Sequence, residues 1–223
     1  MMKALVLSSG GVDSTTLLAM ACERFGAENV VAMSIYYGQK HSRELEAADK
    51  VARYYGVRHI SSDLSEIFAA SDCTLLKGRG DIPHESYAEQ LAQTNGSPVS
   101  TYVPFRNGLF LSAAASAALS EGCGVLMYGA HADDAAGNAY PDCSEEFVNA
   151  MARAISLGTG GELTLEAPFV TLNKTEVVKR GKALGVPYEI TWSCYEGGDE
   201  PCGKCATCLD RIRAFRANGI MIN

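Results

Sequence analysis

The strongest constraint on this chain is a rhythm in its first 64 residues, where short apolar runs alternate with amphipathic ones. Residues 3–7, "KALVL", read as a buried strand. The following "DSTTLLAMACERFG" carries Leu17, Leu18, Ala21 and Phe25 at helical recurrence and closes on Gly26. "NVVAMSIYYG" is a second strand, "ELEAADKVARYYG" a helix stopped by Gly56, and "VRHISSDL" a third strand. Strand, helix, strand, helix, strand in this order demands crossover connections. Those produce a parallel sheet with helices on both faces, an α/β architecture. Further on, residues 107–122 form an apolar helix suited only to burial, and 124–130 a fourth strand. Residues 144–158 and 173–185 form glycine-ended helices, the second opened by Asn173 and Glu176 in a capping-box pattern. Residues 70–100, with Gly78, Gly80, Pro83, Gly96 and Pro98, read as a long loop over the sheet, a lid.

Composition narrows the class of function. At 223 residues the chain suits one domain with a small appendage. Its net charge of −7 speaks against a nucleic-acid-coating surface. No stretch reaches the ~18 apolar residues of a membrane span. Residues 1–7 carry one positive charge and a very short apolar run, a strand rather than a leader, so a cytoplasmic location with reduced thiols is expected. Of eight cysteines, Cys22, Cys73, Cys123 and Cys143 are scattered, as small buried hydrophobes often are. The other four are clustered.

The stretch "VLSSGGVDSTT" runs from the first strand into the first helix. In open parallel sheets ligands collect at the carboxyl ends of strands. Here Gly10 and Gly11 remove side-chain bulk, while backbone N–H groups and the Ser9, Ser14, Thr15 and Thr16 hydroxyls offer donors to an anion. No Lys-Ser/Thr pair follows the glycines, and G-x-G-x-x-G is absent, so this is neither a Walker A nor a dinucleotide turn. It resembles the pyrophosphatase loop, Ser-Gly-Gly-x-Asp-Ser, of adenylating ATP enzymes, with Ser8, Ser9, Gly10, Gly11, Val12, Asp13, Ser14 and Thr15 as ATP-binding residues. The loop lacks a lysine, so positive charge has to come from elsewhere. Mg²⁺ with Asp13 is one source, and Lys174 and Arg106 are others. Asp13, Ser14 and Lys174 are the expected catalytic residues.

"SCYEGGDEPCGKCATC" spaces Cys194, Cys202, Cys205 and Cys208 as C-x7-C-x2-C-x2-C. Four thiolates in tight turns suit a closed tetrahedral Zn²⁺ site of structural type. An iron–sulfur cluster is the competitor, but the ferredoxin spacing is missing. The expected organisation is an ATP-binding domain over residues 1–190 and a zinc-binding segment with a terminal helix over 191–223.

With "SGGVDST", "YYGQKHSRELEAA", "VPFRN", "YPDC" and the terminal cysteine motif together, the chain resembles the 7-cyano-7-deazaguanine synthase family of queuosine biosynthesis over essentially its full length. That resemblance implies a Rossmann-like (HUP-type) fold and a homodimer. It implies ATP-dependent conversion of 7-carboxy-7-deazaguanine and ammonia to the nitrile, through an adenylated acid and an amide. Tyr37, Gln39, Arg106, Asn107, Asp133 and Asp142 are then candidate contacts to the deazapurine, each equally readable as a structural polar group. His41 and His131 receive no role. One departure stands out: "GAHADDAAGNAYPDC" replaces an acid followed by an aromatic–Ser–Gly run before "YPDC". It leaves open an enzyme that stops at the amide, or one that ligates the activated acid to another amine, on a protein for instance. A tRNA-thiolating relative and a non-catalytic nucleotide sensor are further alternatives.

Overall fold

A computed structural model describes residues 2–94 and 97–221; Met1 and Gly96, which entered the sequence reading, lie outside them. Five strands form one parallel sheet: β1 (Ala4–Leu7), β2 (Val30–Tyr36), β3 (Arg58–Asp63), β4 (Val125–Met127) and β5 (Thr164–Glu166), in the order β3-β2-β1-β4-β5. The helices are α1 (Val12–Phe25), α2 (Arg43–Tyr55), α3 (Tyr87–Thr94), α4 (Arg106–Ser120), α5 (Ala132–Ala135), α6 (Glu145–Gly158), α7 (Lys174–Ala183) and α8 (Ala206–Ala217).

The period-2 alternation of a strand divides the core into two layers. Ala4, Val6, Val30, Ala32, Val125 and Met127 turn to one face and meet Leu17, Leu18 and Ala21 of α1, Val51 of α2 and Val177 of α7. Leu5, Val31, Met33 and Leu126 turn to the other and meet Leu111, Ala114 and Ala118 of α4 with Val148 and Ile155 of α6. The α/β sheet with helices on both faces is therefore present as expected. β5 escaped the sequence reading because it is three residues long with one buried side chain, Leu165.

Asn173 caps α7 with its side chain on the Glu176 N–H at 3.0 Å, and Glu176 returns to the Asn173 N–H at 2.8 Å, completing the capping box. Asn173→Ala is expected to cost about 1 kcal/mol, a fall of roughly 2–4 °C in Tm by differential scanning calorimetry. The stretch 70–100 carries α3 and buries Cys73, Leu75, Leu76, Ile82 and Val99. It is stitched to the loop following β2 by Lys40 N–H to the Leu75 carbonyl at 2.9 Å and Lys77 N–H to the Gly38 carbonyl at 3.0 Å. Its apolar side chains meet Cys194, Cys205 and Cys208, while α8 packs through Ala214 and Phe215 on Val178 of α7.

Candidate active site

Strand order reverses between β1 and β4: the chain builds outward from β1 to β3, then crosses to β4 and β5 on the other side. Such a switch point opens a crevice at the carboxyl ends of the strands. A cavity of about 240 Å³ occupies it, reaching from the β1–α1 turn to the start of α4.

The β1–α1 turn is held from below by Ser8 N–H to the Met33 carbonyl at 2.8 Å and by the Ser34 hydroxyl to the Ser8 carbonyl at 2.7 Å. Gly10 has φ +76°, and a Cβ there would stand 2.4 Å from the Ala48 amide nitrogen and 2.7 Å from the Glu44 carbonyl oxygen. Only glycine lets the turn lie directly on α2. Gly11 caps α1 without a side-chain cap hydrogen bond. The Ser9 and Ser14 hydroxyls stand 3.2 Å apart. Thr15 is fully buried beneath the turn.

Asp13 and Lys174, 161 residues apart, form an ion pair across the cavity floor. His131 Nε2 is 3.3 Å from Lys174 Nζ and 3.4 Å from an Asp134 oxygen. Burial by itself raises the Asp13 carboxyl, but the charges of Lys174 and His131 outweigh it and hold the group below the ordinary carboxylate range. Burial likewise pulls Lys174 down, and Asp13 and Asp134 more than restore it. The pair is ionised at neutral pH.

Arg106 opens α4 with its guanidinium 5.0 Å from the Tyr37 ring centroid and 5.7 Å from that of Phe110, donating to the Tyr37 hydroxyl at 3.3 Å. Gln39 also lines the cavity, with its side-chain oxygen accepting the Tyr37 N–H at 2.8 Å. Asn107 donates through its side-chain amide to Cys143 Sγ at 3.2 Å. A wall of tyrosines closes the far end, the Tyr87 hydroxyl 3.0 Å from that of Tyr195 and 3.3 Å from that of Tyr140.

Of the candidate residues, Ser8, Ser9, Gly11, Val12, Asp13, Ser14, Tyr37, Gln39, Arg106, Asn107 and Lys174 line this cavity, whereas Gly10, Thr15, Asp133 and Asp142 stand behind its wall. Asp133 accepts the Lys174 backbone N–H at 2.9 Å. Asp142 is buried and accepts the Asn107 backbone N–H at 2.8 Å, so both carboxylates anchor helix starts. Asp134, one residue on from Asp133, faces the cavity instead. Sequence reading assigned no role to Glu44, His131, Asp134, Tyr87, Tyr128, Tyr140 or Tyr195, all of which line the cavity. All but Tyr87 and Tyr128 lie inside stretches quoted above, so the local signal was there without pointing to a role. The segment that departs from the family pattern forms α5 and a turn with Gly137 at φ +61°, seated beside Leu91 of α3.

The four clustered cysteines converge, each offering a sulfur within 4.8 Å of the others. A tetrahedron with Zn–S bonds of ~2.3 Å has sulfurs about 3.8 Å apart, so the donor set fits such an ion with little adjustment. Backbone N–H groups already point at sulfur: Cys202 to Cys194 and Cys205 to Cys202, both at 3.3 Å. Among the described residues, no helix is long and apolar enough to cross a membrane.

The family model of the queuosine biosynthesis protein QueC matches residues 3–219. The 7-cyano-7-deazaguanine synthase of Archaeoglobus fulgidus is 44% identical, covering 98% of this chain and 88% of its own. That of Caldicellulosiruptor saccharolyticus is 44% identical over 98% and 93%. Solved structures extend the likeness of fold alone: the U34-tRNA thiolase NcsA of Methanococcus maripaludis aligns with a TM-score of 0.52 at 15% identity, covering 97% of this chain and 66% of that one. NMN synthetase of Francisella tularensis aligns with 0.53 at 14%, covering 99% and 79%. With a family model spanning nearly every residue and relatives this similar along their length, the chain belongs to the QueC family of queuosine biosynthesis proteins.

Proposed function

We propose that this chain makes 7-cyano-7-deazaguanine from 7-carboxy-7-deazaguanine, ammonia and ATP, the activity by which its relatives are named. The observation that carries the reading is the Asp13–Lys174 pair, which joins the β1–α1 turn to the start of α7 at one end of a cavity whose other end is aromatic. A carboxylate resists nitrogen nucleophiles because oxide is a poor leaving group; an AMP ester removes that obstacle. The N–H groups of the first turn of α1, with the Ser9 and Ser14 hydroxyls, cradle the departing pyrophosphate, and Lys174 balances its charge. Mg²⁺ held on the nucleotide phosphates would supply further positive charge; the Asp13 oxygen that has no partner is the protein group suited to it.

Tyr37, Phe110 and Arg106 present faces on which a flat heterocycle stacks, and Asn107 and Gln39 present polar edges. Asp142 and Asp133 act through the helix starts they anchor. Amide formation and a second round of activation at the amide oxygen then complete the nitrile. Zn²⁺ on Cys194, Cys202, Cys205 and Cys208 would tie the start of α8 to the segment after Trp192, and four sulfur ligands leave it no open position for chemistry. Incubation with the carboxylic acid, ATP and ammonium, followed by mass spectrometry, tests the reading. The nitrile is the expected product, with AMP and pyrophosphate; accumulation of the amide alone, or no consumption of the acid, would overturn it.

A further inference from the structure

One carboxylate on the cavity wall has no partner among the described residues. Glu44 sits in the first turn of α2, its carbonyl oxygen against the Gly10 turn and its side chain on the cavity wall. Among the described residues its carboxylate makes no hydrogen bond and no ion pair. The other acids here are engaged: Asp13 with Lys174, Asp134 with His131, Asp210 with Arg213 at 2.9 Å. Facing Glu44 are the Arg106 guanidinium from α4 and the Tyr37 phenol beyond β2. It therefore lies on the cavity wall between the β1–α1 turn and the aromatic end.

Resting on the function proposed above, we propose that Glu44 is the general base that removes protons from the attacking and product nitrogen. The chemistry needs one. Ammonia is almost wholly ammonium at neutral pH and cannot attack until a proton leaves. In the first stage the C–N bond forms and the C–O bond to AMP breaks. AMP departs with that electron pair, and acyl adenylate plus NH3 becomes amide, AMP and a proton. In the second, the adenylated imidate, R–C(=NH)–O–AMP, loses its N–H proton as the C–O bond breaks, giving the nitrile, AMP and a proton. Neither stage requires an oxidant or reductant. The Glu44 carboxylate receives each of these protons and passes it to solvent.

Its surroundings prepare it for this. Burial raises the Glu44 carboxyl to about 7 even against the opposing pull of Arg106, near the value at which a base works best at neutral pH. Asp13, held low by Lys174, is a much weaker base.

The test is Glu44→Gln in the full chain, with Glu44→Asp beside it. Acid-dependent ATP–pyrophosphate exchange in Glu44→Gln is expected within about threefold of the unaltered protein, while turnover with ammonium falls roughly 10²-fold or more. Hydroxylamine, uncharged at neutral pH, should restore hydroxamate formation, and the residual ammonium rate should climb with pH as free ammonia rises. Glu44→Asp should recover part of the rate. Equal turnover in both proteins would overturn the assignment, as would a raised KM for the acid with kcat preserved, which marks a residue that reads the heterocycle. Loss of exchange together with turnover would overturn it too. Absence of exchange in the unaltered protein would instead overturn the adenylation reading beneath it.

Discussion

Lys174→Met is expected to reduce acid-dependent ATP–pyrophosphate exchange at least ~10²-fold, the usual loss when one pre-aimed charge is taken from a transition state. The substitution keeps the buried stem and removes only the ammonium, so the effect reports charge rather than packing. Stability should fall less, by about 2 kcal/mol, because the pair is partly exposed and His131 still faces Asp13. The pH dependence of that loss follows from the two shifts. Asp13 has a lowered carboxyl in the folded state, so its contribution is present above its unfolded value near ~3.9 and disappears as pH falls through the folded one. Lys174 is raised, so its contribution is complete below ~10.4 and disappears as pH rises through its folded value. Thermal unfolding should separate variant and unaltered protein at neutral pH and bring them together in acid. Exchange within threefold of normal would remove Lys174 from the leaving-group site.

Cys205→Ser is expected to empty the cysteine cluster and lower Tm by about 10 °C, a loss of roughly 3 kcal/mol for a chain this size. Cys205 is wholly buried, makes the N-cap of α8 and touches the 68–82 segment through the same apolar cluster as Tyr37. Losing the cluster therefore loosens α8, the stretch after β3 and one wall of the cavity together. Elemental analysis should give substoichiometric zinc in the variant. A chelator should destabilise the unaltered protein and leave the variant where it is. Full zinc retention, or a Tm unmoved by chelator, would refute a structural four-cysteine site.

The elements legible in the sequence were those whose signals are local. Leu17, Leu18 and Ala21 recur along one helix face, Gly26 and Gly56 stop helices, and the Asn173–Glu176 box appears atom for atom. The β1–α1 turn was equally plain because its glycines, acid and hydroxyls are contiguous. What stayed hidden had no local signature. α3 lies in a stretch punctuated by glycine and proline, and β5 has a single buried residue to offer. Asp133 and Asp134 look interchangeable in the sequence, yet the backbone sends one to the start of α7 and the other into the cavity.

By itself the sequence determined the parallel α/β order, the glycine turn after the first strand, the four-thiol set and the family, since each rests on residue type at short spacing. Only the tertiary structure decided which distant groups share a site. It joined Asp13 to Lys174, laid Arg106 over Tyr37, withdrew Asp142 behind the wall and left Glu44 unpaired on it. The physical reason is that burial and the field of neighbouring charges, which set a carboxylate's reactivity, arise from chain segments brought together by packing. They have no counterpart in the order of residues along one of them.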